Sequence, residues 1–164
     1  MAGIGMTVAN KAVALLAAPP GMNAALAELG RTAPVSLPEI LPQQIRGQNV
    51  AADIVERAGA VVYPAVHVYC EKIANEMREK FRTFSGKVIM AAEVRISQDQ
   101  LEGLEGKLQL YVEAVMRVLD GNRGDWGSGM FYAGGYEVVF HPVKRGGKNF
   151  VQAAKVSFEV GVSD

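Results

Sequence analysis

The sequence contains few of the residues that build covalent or metal-bound frameworks. Its 164 residues include one cysteine and two histidines. Because Cys70 is the only cysteine, an internal disulfide framework and a zinc site made of cysteines are both excluded. Cysteine usage of this kind is typical of a protein that folds in a reducing cytoplasm.

An excess of charge of one sign is also absent. The 17 Lys and Arg residues equal the 17 Asp and Glu residues in number, so the chain lacks the basic surplus that drives nucleic-acid binding through counterion release. Apolar residues make up 49% and charged residues 21% of the chain, which excludes a disordered or collagen-like protein. The length corresponds to one domain of roughly 150 residues.

Long apolar runs are missing as well. No uninterrupted run approaches the roughly 18 apolar residues expected of a membrane-spanning helix. The segment Lys11–Ala18, which two prolines follow, superficially resembles a signal peptide, but Met1–Met6 carries no positive side chain. We therefore interpret this segment as an unprocessed helix and expect a soluble protein.

Residues 1–47 differ in composition from the rest, being rich in alanine and punctuated by prolines. Thr7 is a suitable cap for a helix running to about Ala18, and Asn23 for a second helix ending near Gly30. The pair of prolines between them must separate the two helices. Both helices have apolar faces, so this N-terminal arm needs a partner surface, either in the rest of the chain or on a neighbouring subunit.

Residues 48–164 alternate between helical and strand patterns and are predicted to form one α+β domain. A short helix is predicted over Gln48–Arg57 and a strand over Ala60–Cys70, in which Pro64 indicates a sheet edge or a bulge. An edge strand is a ready site for pairing between subunits. The charged segment Glu71–Ser85 is predicted to be either a helix or a projecting loop.

The clearest patterns lie in the middle of the chain. Strict alternation along Lys87–Ser97 predicts a half-buried strand. Its buried face is predicted to carry Val88, Met90, Ala92, Val94 and Ile96, and its other face Lys87, Glu93, Arg95 and Ser97. Apolar residues at helical spacing then predict a helix over Asp99–Asp120, capped by Ser97 or Asp99.

The last third of the chain is predicted to form a β-hairpin. A glycine-rich loop, Asn122–Gly129, precedes two alternating strands over Met130–Pro142 and Asn149–Val162, and Lys144–Lys148 turns one strand into the other. The predicted fold class is therefore α+β: an antiparallel β-sheet covered on one face by one long helix, with a helical N-terminal arm.

Residues that serve catalysis or cofactor binding do not occur in recognisable patterns. His67 and His141 lie in predicted strands without the carboxylates that usually complete a metal site. Cys70 and His67 are three residues apart on one strand and therefore point to opposite faces. The glycine clusters follow neither a dinucleotide-binding nor a Walker-type spacing. We predict no catalytic residue, no metal site and no cofactor.

Two segments are candidates for contacts with other molecules. Glu71–Ser85 mixes charges of both signs with aromatic residues, which is typical either of a solvated face or of the rim of a subunit interface. With the strand before it, this segment supplies the interface candidates Tyr63, Pro64, Arg78, Phe81, Arg82 and Phe84. The two glycine-rich turns supply candidates for contacts in a lumen or along an axis, namely Lys144, Arg145, Lys148 and Trp126. Trp126 is either an exposed anchor or a core residue packed over the helix end. The basic residues of Lys144–Lys148 either make such a contact or belong to a solvated turn.

Two long runs carry a resemblance to a known family. They are YPAVHVYCEKIANEMREKFRTFSGKVIMAAEVRISQDQLEGLE, which begins at Tyr63, and GMFYAGGYEVVFHPVKRGGKNFVQAAKVSFEV, which begins at Gly129. With the helix between them they resemble tail terminator and tail completion proteins of long-tailed bacteriophages, over about Gln48–Asp164. Members of that family have a sandwich-like fold with a helix against an antiparallel sheet, and they form a ring, commonly of six subunits. The N-terminal arm, Met1–Pro42, is not matched.

The resemblance implies a virion structural protein of the tail–neck region, made in the host cytoplasm. Its ring would cap the tail tube and join the tail to the head, so the implied partners are further copies of itself, the tail tube protein and a head–tail connector or neck protein. DNA would pass through the lumen, and no membrane partner is implied. The alternatives are another neck or tube component, such as a connector or tail tube protein, and a small-ligand-binding or enzymatic α+β domain. The last alternative requires His67, His141 and Cys70 to converge in one pocket.

Overall fold

The computed structural model of the chain describes residues 1–50 and 61–164. The helix predicted over Gln48–Arg57 therefore lies mainly outside the described residues. The described part confirms the α+β class, because helices pack on one face of a mostly antiparallel sheet.

The helices and strands have the following bounds. The helices are α1 (Ile4–Ala17), α2 (Gly21–Gly30) and α3 (Leu104–Gly121), with a short 3-10 helix at Pro42–Gln44. The strands are β1 (Ile45–Arg46), β2 (Ala65–Asn75), β3 (Ser85–Gln98), β4 (Gly124–Gly127), β5 (Met130–Tyr132), β6 (Glu137–Phe140), β7 (Lys144–Gly146) and β8 (Asn149–Ser163).

Strand β8 organises the sheet. Along one edge it pairs with β3 from Ser85 to Gln98, and along the other edge it pairs in turn with β7, β6 and β5. Strand β2 pairs with the far edge of β3, and β1 adds a short parallel pairing to β2. The pairing order is β1-β2-β3-β8-β5-β4, with β6 and β7 also on β8.

The alternation predicted for β3 and β8 is confirmed over most of their length, but two residues predicted on the other faces, Arg95 and Val151, are buried as well. The predicted apolar face of β3 is buried, as are the alternate residues of β8 from Ala154 to Val162. Arg95 lies on the predicted face of β3, but the expectation that this face exposes it to solvent is wrong, because the side chain is only 2% exposed. It lies on the sheet face opposite the helices, where it bonds to Glu93 and to the backbone of Val50.

Helix α3 starts later than predicted. Its apolar stripe is buried from Leu104 to Leu119, but neither Ser97 nor Asp99 caps it, because Ser97 still belongs to β3 and the helix begins after Gly103. The side-chain amide of Gln98 donates to the carbonyls of Gln100 (2.7 Å) and Glu102 (2.8 Å). These bonds hold the intervening residues in a turn, so the first helical turn is displaced toward the C-terminus.

The N-terminal arm packs on its own domain. Helices α1 and α2 share a hydrophobic core with α3 and the sheet through Val8, Leu16, Met22, Leu26 and Leu29. Of the two partner surfaces that the sequence left open, the arm therefore uses the rest of the chain. The sheet face is accordingly covered by α1 as well as by the one long helix that was predicted, and α2 packs on that helix.

Both predicted helix caps in the arm are wrong. Thr7 lies inside α1, where its hydroxyl donates to the carbonyl of Gly3 at 3.1 Å. Asn23 lies in the first turn of α2, and its side chain makes two bonds to the backbone of Ile40, at 2.9 and 2.8 Å. These bonds hold the segment that follows α2 against that helix, although Asn23 and Ile40 are 17 positions apart in the chain.

The arm also meets the length and composition expected of a membrane span. Across Ile4–Gly30, an 18-residue window reaches a mean hydropathy of 1.3, and 33% of that window is buried inside the fold. In this structure the stretch forms two helices, of which α1 packs on β2 and α2 packs on α3.

Strand boundaries outside β3 and β8 differ from the predicted ones. Strand β2 begins at Ala65, just after Pro64, and continues to Asn75, so the first part of Glu71–Ser85 is strand and only residues 76–84 form a loop. The predicted strand Met130–Pro142 is divided into β5 and β6 by residues 133–136. Gly134 and Gly135 there adopt positive φ, which breaks the strand. The predicted loop Asn122–Gly129 contains β4, which pairs with β5.

Close backbone packing at Gly86 generates a stability prediction. A Cβ atom at this position would collide with the carbonyl oxygen of Ala74, which belongs to the neighbouring strand and cannot move away. We expect Gly86→Ala to lower the free energy of unfolding by more than about 2 kcal/mol. Chemical denaturation followed by the fluorescence of Trp126 measures the change.

The matched control is Gly106→Ala, in α3, where an added Cβ has no atom within 4 Å. We expect this variant to gain about 0.5–1 kcal/mol, because alanine has the better helix propensity. Equal stabilities of the two variants would contradict the packing described here.

Candidate interaction surfaces

Among the residues that the structure describes, little pairs with the outer edge of β2. Strand β1 pairs only with Val66 and His67, and within the described residues no strand pairs with the outer edge from Val68 to Asn75. Of the two interface candidates before the strand, Pro64 is buried and its carbonyl accepts a bond from Gln44 at 2.9 Å, so it offers no contact surface. Tyr63 is half-buried.

The loop at residues 76–84, which we call the β2–β3 loop, is fixed at its base. The side-chain oxygen of Asn75 accepts bonds from the backbone N–H groups of Met77 (3.2 Å) and Ser85 (3.1 Å). On the other side, Phe84 and Asp164 exchange two backbone bonds, of 3.0 and 2.8 Å. The base of the loop is therefore joined to the C-terminal end of the chain.

Two phenylalanines of this loop have opposite environments. Phe84 is only 8% exposed and belongs to the core, so the prediction of Phe84 as an interface residue is wrong for the chain as described. Phe81 is fully exposed and has a φ of 68°. This left-handed conformation costs a non-glycine residue about 1–2 kcal/mol, and the ring is fully exposed among the described residues.

Charged and apolar side chains surround Phe81 on the loop. Arg78 and Arg82 are exposed and form ion pairs with Glu76 and Glu79 within the same loop. Met77 is a second exposed apolar residue there. The loop thus presents an apolar tip with charges at its sides, which is the composition of an interface anchor and its rim.

Trp126 is a core residue. Its side chain is 6% exposed, its ring lies 5.4 Å from that of Tyr132 and 6.3 Å from that of Phe158, and its indole N–H donates to the carbonyl of Asn122 at 2.7 Å. Of the two interpretations of this residue, the core position over the helix end is therefore the observed one, and Trp126 is not available for an axial contact.

The basic turn keeps its charges exposed. Lys144 and Arg145 lie in β7, and Lys148 lies in the turn to β8. All three are exposed, and none forms an ion pair within the described residues. The guanidinium of Arg145 stacks on Phe150, 5.6 Å from the ring centre. This basic hairpin tip adjoins the beginning of β8, at the opposite end from the β2–β3 loop.

A buried polar cluster lies on the sheet face away from the helices. Nη1 of Arg95 lies 3.4 Å from Nδ1 of His67, and its Nη2 donates to Glu93 (3.0 Å) and to the carbonyl of Val50 (2.8 Å). Burial, followed by the charge of Arg95, lowers the pKa of His67. Burial, followed by Glu93, raises the pKa of Tyr69 to about 12. Sequence alternation indicated the face on which Arg95 lies but not the partners that bury it.

The three residues required by the enzymatic alternative do not converge. His67 lies on the sheet face away from the helices, whereas Cys70 lies on the helix-facing side beside Gly5. His141 is exposed beyond β6, about three strand spacings or roughly 14 Å from His67. Among the described residues no group of three or more His, Cys, Asp or Glu side chains is placed to hold a metal ion.

A groove runs between α3 and β6. Its volume is about 550 Å³, and its floor is formed by Val112, Met116, Val138 and Phe140. Another recess, of about 460 Å³, lies between the α1–α2 connection and the end of α3. Neither recess was predicted from the sequence, because each depends on how distant elements pack.

Comparison of the chain with models of known protein families and with curated proteins gives no match.

The polar cluster generates a prediction of pH dependence. The imidazole of His67 has an ordinary pKa of 6.5 and a lower one in the fold. As the pH falls through 6.5, the unfolded chain therefore takes up a proton that the folded chain does not, and the free energy of unfolding decreases until the pH reaches the lowered pKa. We expect His67→Asn, whose amide oxygen still accepts a bond from Arg95, to reduce this decrease.

Urea denaturation at about pH 7.5 and about pH 5.5 measures the effect. The matched control is His141→Asn, at an exposed position, which should retain the pH dependence of the wild type. A wild-type pH dependence in His67→Asn would contradict the role assigned to the buried imidazole.

Proposed function

We propose that the protein is a virion structural component of a phage tail–neck region, whose ring caps the tail tube and joins the tail to the head connector. The resemblance over about Gln48–Asp164 supports this function, and the α+β fold is the one that the resemblance implied. The single observation that carries the proposal is Phe81, a fully exposed aromatic residue in a strained backbone conformation at the tip of a fixed loop.

An exposed phenylalanine in this conformation favours self-association. Burying such a ring against another protein removes a large apolar area from water, and well-packed aromatic anchors contribute much of the affinity of an interface. A subunit of a ring also needs two different surfaces, one for each neighbour. The outer edge of β2 and the β2–β3 loop supply one of these surfaces.

The basic hairpin tip lies at the end of β8 opposite the β2–β3 loop, which leaves it free for a luminal or axial contact. The β2–β3 loop adjoins the residue after Ser163, and the basic hairpin tip adjoins Asn149. At about 3.3 Å per residue, the 15 residues of β8 separate these two regions by up to about 45 Å. In a ring, the basic tip would face either the lumen, where DNA passes, or an acidic patch on the next layer.

Electron microscopy of the purified protein tests the proposal directly. We expect rings with a central hole of the width of a tail tube, and we expect added protein to stop the elongation of purified tubes. Rings that do not act on tube ends would favour another neck component, and incorporation along the tube would favour a tube protein. A protein that stays monomeric at high concentration and has no effect on tubes would overturn the proposal.

The exposed anchor generates a prediction of oligomeric state. We expect Phe81→Ala and Arg82→Glu to lower the mass of the assembly, because the first removes the apolar anchor and the second reverses a charge at its side. Loss of an interface anchor typically raises the dissociation constant at least about tenfold. Light scattering over a dilution series measures the change.

The matched control is Leu101→Ala, which removes another exposed apolar side chain, beside the start of α3. It should assemble like the wild type. An unchanged dissociation constant in both loop variants would place the subunit contact elsewhere on the molecule.

The basic hairpin tip generates a further prediction. Replacing Lys144, Arg145 and Lys148 by Gln should weaken tube capping or head joining, because the attraction of a repeated basic tip for DNA or an acidic layer is electrostatic. In the wild type the same defect should appear as salt is raised, since salt screens exposed charges. Complementation of tails that lack the protein measures the effect.

The control removes three other cations by replacing Lys11, Arg31 and Lys107 with Gln. This variant has the same net charge as the tip variant and should retain activity. If the tip variant acts like the wild type at every salt concentration, the tip is a solvated turn.

A further inference from the structure

We propose that the groove between α3 and β6 receives Phe81 of a neighbouring copy, so that the assembly is built from one repeated contact between a loop and a groove. This inference rests on the proposed self-assembly. It goes beyond it by assigning the second of the two subunit surfaces and by naming its occupant.

The groove has an apolar floor that the chain itself leaves open. Phe140 at its edge is 41% exposed, although β6 directs it to the helix-facing side, opposite Ala154 of β8. Its neighbour Val138 and Met116 of α3 are half-buried against the core. With a volume of about 550 Å³, the groove has room for a phenylalanine ring together with the backbone that carries it.

The loop and the groove of one chain cannot meet. The β2–β3 loop connects two strands on one side of β8 and adjoins its C-terminal end, whereas β6 pairs with the other side of β8 from Ala154 to Ser157. The offset along β8 alone is six to nine residues, or about 20–30 Å. Phe81 is fully exposed within its own chain, so a groove that accepts this ring must belong to another copy.

The charges at the two surfaces are complementary. The β2–β3 loop carries three cations, Arg78, Lys80 and Arg82, against two anions, Glu76 and Glu79, which pair with Arg78 and Arg82. The rim of the groove carries two carboxylates, Glu113 and Asp120, against one guanidinium, Arg117. Opposite charges at a rim steer two surfaces together and fix their register. This complementarity selects the loop of a second copy as the occupant.

The two surfaces differ, and this determines how copies assemble. A contact between unlike surfaces leaves each dimer with one free loop and one free groove, so further copies add in the same direction. Such an assembly closes into a ring where the rotation between copies permits it. A contact between like surfaces would instead stop at a dimer.

Mixing two variants tests the assignment. Phe81→Asp removes the apolar anchor, and Phe140→Lys places a cation where the basic loop would bind. We expect each variant alone to be folded and monomeric. Their equimolar mixture should form a dimer and nothing larger, because only one intact loop and one intact groove are present. Native mass spectrometry measures the species, and thermal unfolding followed by circular dichroism verifies the fold.

The matched control is Val139→Lys. Val139 is the neighbour of Phe140 in β6 but pairs opposite Lys155 and lies on the sheet face away from the groove, so this variant should assemble like the wild type. If Phe140→Lys is misfolded, Glu113→Lys at the groove rim replaces it, with the same expected result in the mixture.

The outcomes separate this inference from the proposed function. If the Phe140→Lys variant still forms rings like those of the wild type, the groove assignment is overturned and the proposed function stands. If its rings form but no longer cap tubes, the groove binds a different partner. A mixture that stays monomeric at every concentration tested also overturns the assignment. A wild-type protein that never assembles overturns both proposals.

Discussion

The continuous pairing of β3 with β8 is the constraint on which the rest of the structure depends. Every residue of β3 from Ser85 to Gln98 has a partner on β8, and the helix-facing side of this pair carries the apolar residues on which α3 packs. Pairing with β3 uses one edge of β8 and leaves the other edge free, and because β8 is long this edge has room for several short strands. The short strands β5, β6 and β7 occupy that edge in turn, and each is held in position by β8.

The strand pairing places three different surfaces of the molecule along β8. The basic tip lies at the start of β8, the groove beside its middle and the β2–β3 loop at its end, so three unlike surfaces occur in sequence along one strand. The N-terminal arm covers the helix-facing side and adds its apolar residues to the same core. The surfaces proposed for contacts with other molecules lie at the ends and edges of the sheet.

The candidate residues show where sequence reasoning succeeds and where it stops. The aromatic and charged composition of residues 71–85 correctly indicated an exposed segment around Phe81, but nothing in the local pattern distinguished Phe81 from Phe84. The difference arises because Phe84 pairs with Asp164, which lies 80 positions later in the chain. Trp126 was ambiguous for the same reason, since Phe158, one of the rings that encloses it, lies on a distant strand.

The sequence by itself determined the fold class, the alternating faces of β3 and β8 and the apolar stripe of α3, because these follow from periodicities within a single element. Only the tertiary structure decided the partners of the N-terminal arm, the burial of Arg95 and the groove beside β6. Each of these depends on residues far apart in the chain, whose proximity is set by the order in which strands pair. A local pattern carries the period of an element but no information about its neighbours.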